Sequence, residues 1–256
     1  EKLGVAAQNQ ALSALSFLYR DVFGQTSSPL LKTVKRSKPC GKMPVVFTSE
    51  EARRVLSKMR GDSFLVAALM YGSGLRLSEA VTVRVGDIDF EQRRITVRDA
   101  RTGRRERVTV LPEAIIPAFK RHLTNVRYLH EDDCLLGGGR VSVPKAIERA
   151  APDAGREWRW QFVFPSHNLT VGKAVERHHL AESTVQKAVG EAILRANIKQ
   201  ACCQTFRYSF AARLFERNYD IRRIQILLGH KNLKTTAVYM QFAARPRNTV
   251  LSPLDN

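Results

Sequence analysis

The stretch GSGLRLSEA, residues 72–80, separates two different patterns of apolar residues. Before it, the continuous apolar run FLVAALMYGSG (64–74) predicts a buried helix that starts at Asp62 and breaks at its terminal glycines. After it, from residue 83 onward, the short runs VRVGDIDF, RRITVRD and RERVTVLP are typical of β-strands joined by turns. The sequence therefore predicts a mainly α fold with a small three-stranded antiparallel sheet, an α+β arrangement.

Helical patterns flank this centre on both sides. Thr48 or Ser49 is a suitable cap for a helix with acids in its first turn. A helix is predicted at about 112–130, and helical periodicity returns at 183 and continues in short helices to about 242. Between these two regions, residues 131–182 have a glycine triplet and an aromatic patch but no clear period, so we expect irregular structure there.

The chain is strongly basic, with 256 residues, a formal net charge of +18 and 44% hydrophobic residues. That hydrophobic fraction is typical of a globular protein. A positive surplus of this size repels itself unless a polyanion is near, and DNA or RNA is the usual partner. A ribosome-like basic surface is the plain alternative. The longest apolar run, FLVAALMY (64–71), is too short for a membrane span, so we expect no membrane partner.

The sequence offers little sign of a metal or cofactor. The four cysteines have no metal-binding spacing and are typical of an unbridged protein in a reducing cytoplasm. An acidic cluster suited to two-metal catalysis is not evident either. We therefore expect no metal site and no cofactor.

Three segments place polar residues inside otherwise apolar helical patterns. They are GSGLRLSEA (72–80) with Arg76, QTFRYSFAARL (204–214) with Arg207, and LLGHKNLKTTAVYMQ (227–241) with His230 and Tyr239. Phosphodiester exchange without a metal needs this combination of groups. Two guanidinium forks neutralise the phosphate oxygens, a phenol forms a covalent phosphoester, and an imidazole holds a phosphate oxygen or moves a proton.

These motifs resemble the tyrosine recombinase (phage integrase) family. Arg76 matches the first catalytic arginine of that family, and Arg207 matches the second. His230 follows Arg207 by 23 residues and precedes Tyr239 by nine, which is the spacing of the family. The resemblance covers about residues 44–242 and implies the catalytic-domain fold of this family.

The resemblance also implies a mechanism. Arg76 and Arg207 would clamp the scissile phosphate and His230 would hydrogen-bond to it. Tyr239 would attack phosphorus and form a 3′-phosphotyrosine link, which conserves the bond energy for rejoining. Glu79 would support the arginine site without itself binding the phosphate. The partners implied are DNA attachment sites and further copies of the chain in a tetrameric synapse, in the bacterial cytoplasm at the nucleoid.

Two positions depart from the family pattern. The family has a catalytic lysine in the turn between the second and third strands, and the best match here is Arg101. Gln204 stands where the family usually has histidine. Arginine is a poor proton donor and glutamine cannot shuttle a proton. The alternatives are therefore a slow enzyme, or a catalytically impaired DNA-binding relic, or a topoisomerase-like nicking enzyme with the same chemistry.

The region inserted at about 131–182 is similar to the additional segment of integron integrases. In that subfamily the substrates are gene-cassette attachment sites, some of them folded single strands with bases flipped out. Trp160, His178 and His179 match positions that would stack on such bases. The resemblance further implies that residues 1–25 are the C-terminal helix of a truncated core-binding domain, that 26–43 form a basic linker, and that 44–256 form the catalytic domain.

Overall fold

The fold is described from a computed structural model. It describes residues 5–24, 44–99, 105–171, 175–198 and 200–241. The chain divides into two units, residues 1–43 and 44–256. In the first unit, helix α1 (Val5–Phe17) continues as one π-helical turn, Leu18–Val22. The predicted basic linker lies outside the described residues, and the assignment of the two units to particular domains stays a prediction.

Helices make up most of the second unit. In its described part they are α2 (Ser49–Ser57), α3 (Gly61–Ser73), α4 (Leu77–Val81), α5 (Ile116–Leu135), α6 (Lys145–Ala150), α7 (Glu182–Arg195), α8 (Cys203–Glu216), α9 (Ile221–Leu228) and α10 (Leu233–Ala237). Thr48 caps α2 as expected, because its hydroxyl accepts from the backbone N–H of Glu51 while that glutamate accepts from the N–H of Thr48. No helix in the described part of the chain has the length and apolar content needed to cross a bilayer.

The predicted three-stranded antiparallel sheet is present. Its strands β1 (Ile88–Asp89), β2 (Arg94–Arg98) and β3 (Arg105–Val110) lie in the order β1-β2-β3. β1 is much shorter than the run of eight residues predicted for it. Within this run, Val85–Asp87 form a 3-10 turn instead, and the Asp87 carboxylate accepts from the backbone N–H of Arg84, which precedes the turn. Together with the helices, this sheet confirms the α+β prediction.

The expectation of irregular structure over residues 131–182 was wrong. α5 extends into this region, and a second antiparallel pair, β4 (Pro165–Val171) with β5 (Val175–His179), follows. A buried ion pair joins this strand pair to α5, because Arg177 on β5 donates to both carboxylate oxygens of Asp133 on α5 at 2.6 and 2.7 Å. The strands carry polar and charged residues rather than an alternating apolar pattern, which is why their sequence did not predict them.

The main core lies where α3 packs against α7 and α8. α3 contributes a nearly continuous buried face, as its apolar run predicted. The Phe206 ring of α8 lies 5.1 Å from the Phe47 ring and 6.4 Å from the Tyr71 ring of α3, measured between centroids. This packing brings the C-terminal end of α3 next to α8, and so brings the first two polar segments together.

Candidate active site

The turn after α3 sets the position of Arg76. Gly74 ends the helix with φ +67°, a left-handed conformation that glycine adopts without strain. A Cβ at this residue would lie 2.4 Å from the ring of Phe210 on α8. The absence of a side chain therefore allows α3 to end directly against α8, with Arg76 at the start of α4.

Arg207 is buried within α8 and donates in several directions. Its Nη1 donates to the Gly74 carbonyl at 2.7 Å, and its Nη2 donates to the Leu228 carbonyl at 2.5 Å. The same Nη2 lies 3.2 Å from Nε2 of His230. Burial, together with repulsion by Arg76 and Arg107, lowers the pKa of Arg207 to about 10. It therefore stays charged at neutral pH, and its two carbonyl bonds fix it between the ends of α3 and α9.

The Glu79 carboxylate is the shared partner of three arginines. It accepts from the Arg76 side chain at 2.6 Å and from the Arg76 backbone N–H at 2.7 Å. Arg107 forms a fork with it at 2.9 and 2.7 Å, and Nη1 of Arg207 lies at 3.5 Å. Burial works against the charge, but hydrogen bonds and attraction from Arg107 and Arg76 outweigh it and lower the pKa of Glu79 to about 2. Glu79 therefore forms ion pairs with all three arginines.

Arg107 belongs to this network although the sequence did not single it out. It lies on β3, is 7% exposed, and donates from Nε to the Leu227 carbonyl at 2.8 Å. Gly229 makes room for it, since a Cβ there would lie 2.9 Å from Cδ of Arg107. Arg107 therefore ties Glu79 to the C-terminal end of α9. The only signal in the sequence was a charged residue inside a β run, which also suits an exposed strand face.

His230 is held just beyond the end of α9. Gly229 caps this helix with φ +65°, and Gln225 accepts from the His230 backbone N–H at 3.1 Å. The Gln225 side chain also donates to the His230 carbonyl at 2.9 Å. The imidazole lies between Arg207 and the hydroxyl of Thr236, which is 2.9 Å from Nδ1. Burial and repulsion by the nearby arginines lower the pKa of His230 to about 4, so the ring is neutral at pH 7.

Tyr239 lies in the 3-10 turn Val238–Gln241 that follows α10. It is 6% exposed, and its ring centroid is 6.0 Å from that of His230 and 5.2 Å from that of Tyr208. Burial and the neighbouring Tyr208 raise the pKa of Tyr239 to about 12, against the attraction of Arg207 and Arg76. The phenol is therefore protonated at rest. The structure brings Tyr239 together with the other three residues that the motifs singled out.

A cavity of about 520 Å³ opens beside the arginines. Its lining includes Arg76, Arg207 and the exposed side chain of Gln204, so Gln204 faces the same space. Arg101 lies outside the described residues. Within the described ranges, no group of three or more His, Cys, Asp or Glu side chains is arranged to hold a metal ion.

Two of the three residues expected to contact bases, Trp160 and His179, line a second cavity that Glu79 also borders. Trp160 is half-buried, with the Arg84 guanidinium 5.6 Å from its ring centroid, and it lines a cavity of about 180 Å³ with His179. The His179 ring packs edge-on against Phe162 at 5.4 Å, and Nδ1 lies 2.9 Å from the Leu180 carbonyl. His178 is exposed on β5. Trp160 and His179 thus share a cavity, and His178 faces solvent.

Replacing Glu79 with glutamine should destabilise the protein in a pH-dependent way. A carboxyl whose pKa falls from 4.5 to about 2 on folding contributes about 3 kcal/mol at neutral pH, because the folded state favours the ionised form. That contribution is present above pH 4.5 and is lost as the pH falls toward 2. Urea unfolding of wild type and Glu79→Gln from pH 7 to pH 3 should therefore show a difference that shrinks on acidification.

The matched control is Glu113→Gln, which removes an exposed ion pair with Arg93. Exposed pairs contribute less than about 1 kcal/mol, so this variant should stay close to wild type throughout. A Glu79→Gln effect of the same size at pH 7 and pH 3 would contradict the role assigned to the Glu79 charge.

Comparison with known proteins identifies the family of this chain. Residues 46–245 match the model of the phage integrase family. The chain is 38% identical to proteins described as "Integrase/recombinase" from Escherichia coli and from Pseudomonas aeruginosa, over 99% of this chain and 76% of each relative. It is 28% identical to the tyrosine recombinase XerA of Pyrococcus furiosus, over 79% of this chain and 59% of that protein.

Solved structures share the fold. The Tn1549 transposon integrase, in complex with circular intermediate DNA, aligns with a TM-score of 0.62 at 19% identity, covering 93% of this chain and 75% of that one. The XerH site-specific recombinase, in a post-cleavage complex with its difH substrate, aligns with a TM-score of 0.59 at 18% identity, covering 94% and 65%. The family match spans most of the second unit, and the chain belongs to the phage integrase family of tyrosine recombinases.

Proposed function

We propose that this chain acts on DNA as a site-specific recombinase, cleaving and rejoining strands through a 3′-phosphotyrosine intermediate at Tyr239. The observation that carries the proposal is the convergence of Arg207, His230 and Tyr239. A guanidinium nitrogen lies 3.2 Å from the imidazole, and the imidazole and phenol rings are 6.0 Å apart. Anion-binding groups and a nucleophile thus occupy one place, as strand cleavage requires.

The charge balance of the site suits a phosphodiester. Three guanidinium groups surround one carboxylate, and His230 is neutral at pH 7, so two positive charges remain unbalanced. Arg76 has a side chain that is 44% exposed and, with Arg207, borders the cavity. Two such donors can meet the two non-bridging oxygens of the scissile phosphate and stabilise the charge that develops on them.

The nucleophile is the Tyr239 phenol. Its oxygen attacks phosphorus, the bond to the 5′ oxygen breaks, and the broken strand stays attached through the 3′ phosphate. Because the phosphotyrosine link conserves the energy of the phosphodiester, a 5′ hydroxyl from another strand can reverse the step without an external energy source. The proposal includes self-association into a tetrameric synapse on DNA, as the resemblance implies.

Tyr239→Phe should abolish covalent attachment to DNA while leaving binding intact, since only the phenol oxygen is lost. The test is to incubate the protein with a nicked attachment-site duplex and to look for an adduct that survives denaturation. Tyr208→Phe is the matched control, because it removes a phenol whose ring lies 5.2 Å away. The proposal fails if wild type forms no adduct, or if Tyr239→Phe forms as much of it as wild type does.

We propose that cleavage is slow in this chain because Gln204 takes the place of a proton-shuttling histidine. Gln204 is exposed in the cavity beside Arg76 and Arg207, where a titratable group would lie close to the reacting phosphate. General acid–base groups contribute roughly 10²–10⁴-fold to such reactions. Arg101 in place of the family lysine would lower the rate further, since arginine keeps its proton.

Gln204→His should therefore raise the single-turnover rate of adduct formation by about tenfold or more, and Gln204→His with Arg101→Lys should raise it again. Gln186→His is the control, because it places a histidine elsewhere on the lining of the same cavity. Equal rates for all of these variants and wild type would show that neither position limits cleavage.

We propose further that the substrates are gene-cassette attachment sites, including folded single strands with extrahelical bases, as in integron integrases. Support comes from the inserted segment, where Trp160 and His179 border one cavity and His178 lies exposed on the neighbouring strand. An indole beside the Arg84 guanidinium offers stacking and positive charge together, which suits an unpaired base.

His178→Ala should weaken the preference for a hairpin site with extrahelical bases over a fully paired duplex of the same sequence. Stacking contributes roughly 1–3 kcal/mol per base, so the ratio of the two dissociation constants should fall by about 5- to 160-fold. His167→Ala, an exposed histidine on β4 of the same hairpin, should keep the wild-type ratio. A wild-type ratio near one would contradict the integron proposal and leave the recombinase proposal standing.

A further inference from the structure

Hydrogen bonds from Arg76 and Arg107 fill the Glu79 carboxylate. Oε1 accepts from Nη1 of Arg107 at 2.9 Å and from Nη1 of Arg76 at 2.6 Å. Oε2 accepts from Nη2 of Arg107 and from the backbone N–H of Arg76, both at 2.7 Å. An ionised carboxylate has about four lone-pair sites, shared between its two oxygens. The Arg76 side chain therefore holds Glu79 by a single hydrogen bond, because Arg107 takes one site on each oxygen.

We infer that Arg107 is a positioning residue that keeps Arg76 free for the scissile phosphate by occupying both oxygens of Glu79. A fork of two parallel hydrogen bonds is the strongest way for a guanidinium to hold a carboxylate, and Arg107 has taken it. Without Arg107, Glu79 would bind Arg76 in such a fork and withdraw it from the cavity. The inference rests on the recombinase function proposed above and deepens it, since it explains how an arginine beside a carboxylate stays available to an anion.

The two arginines differ in their access to an anion. The side chain of Arg107 is 4% exposed, whereas that of Arg76 is 44% exposed. Arg76 lines the cavity of about 520 Å³, and Arg107 is not among the described residues that line it. The hydrogen bond of the Arg76 side chain to the described residues comes from Nη1, which leaves Nε and Nη2 for a phosphate. Arg107 therefore acts on the phosphate only through Arg76.

The position of Arg107 is fixed on every side of its guanidinium. While Nη1 and Nη2 donate to Glu79, Nε donates to the Leu227 carbonyl at 2.8 Å. Gly229 leaves the space that the side chain fills, since a Cβ there would lie 3.0 Å from Nη1. Burial works against the charge of Glu79, and Arg107 does more than Arg76 to lower the pKa of Glu79 to about 2 in spite of it. Arg107 is thus the principal and the more rigid partner of Glu79.

The first test measures how readily the Arg76 guanidinium reacts with phenylglyoxal, a reagent that modifies arginine side chains. Mass spectrometry of the peptides gives the labelling rate at each arginine and requires neither DNA nor activity. Arg107→Met removes the guanidinium and keeps an apolar chain in the buried site. We expect labelling of Arg76 to be about tenfold or more slower in this variant than in wild type, because a second charge-assisted hydrogen bond must break before Arg76 reacts.

Arg177→Met is the matched control for this measurement. Arg177 is also a buried arginine that forms a fork with a carboxylate, that of Asp133, so its loss removes an interaction of the same kind elsewhere in the chain. Labelling of Arg76 should stay at the wild-type rate in this variant, and the exposed Arg53 gives an internal reference in every sample. Arg107→Lys keeps the charge but cannot form a fork, so it should give an intermediate rate, and it replaces Arg107→Met if that variant does not fold.

Cleavage of the nicked duplex separates positioning from general damage to the site. Arg107→Met should form the covalent adduct about tenfold or more slowly than wild type, because a donor to the developing charge is withdrawn. When Arg76 is already replaced by methionine, the same change at Arg107 should alter the remaining rate by less than about twofold, since the residue through which it acts is gone. A purely structural loss would slow both backgrounds by the same factor.

The outcomes separate the two proposals. Wild-type labelling of Arg76 in folded Arg107→Met or Arg107→Lys would overturn the inference and leave the recombinase function standing, and so would equal losses of cleavage in the two backgrounds. A wild type that forms no adduct would overturn the proposed function. The labelling rates would then still decide whether Arg107 keeps Arg76 out of a fork with Glu79.

Discussion

One buried carboxylate among three guanidinium groups is the interaction on which the site depends. Glu79 contacts Arg76, Arg107 and Arg207, which lie on the loop before α4, on β3 and on α8. Without that negative charge, three arginines would repel each other in a poorly solvated space, and removing one partner of a buried pair is strongly destabilising. The carboxylate is therefore what allows three separate elements to bring positive charge to one point.

From this centre, most of the hydrogen bonds of Arg107 and Arg207 to groups other than Glu79 go to backbone carbonyls. Arg207 donates to the carbonyl of Gly74 at the end of α3 and to that of Leu228 at the end of α9, and Arg107 donates to Leu227. Helix C-termini offer free carbonyls, and cations are stabilised there. The arginines Arg107 and Arg207 thus complete two helix ends, while the Arg76 side chain remains 44% exposed beside them.

The fold, and the four candidate residues that the structure brings together, could be predicted from the sequence because their signals are local. Each of these signals spans only a short stretch of neighbouring residues. This holds for the cap at Thr48, for the buried run of α3 and for the motifs around Arg76, Arg207, His230 and Tyr239. Arg107 and Thr236 could not be found in this way. In RERVTV the valines alternate with polar residues, which predicts Arg107 on a solvent face, yet Arg107 is 7% exposed and Val110 is 42% exposed. Partners distant in sequence decide that choice, as they do for Asp133 and Arg177 in the inserted hairpin.

The aromatic ring of Tyr239 is part of the hydrophobic packing. Tyr239 belongs to a small core with Phe210, Ala211, Ile224 and Leu228, so its ring helps to hold the 3-10 turn Val238–Gln241 against α8 and α9. If Tyr239 is the nucleophile, as proposed, presenting its oxygen to phosphorus would reduce this burial, and contacts of Arg76 and Arg207 with the phosphate would have to compensate for that loss. Binding energy from the charged part of the site would then be used to expose the phenol, which would favour attack only when a backbone phosphate is in place.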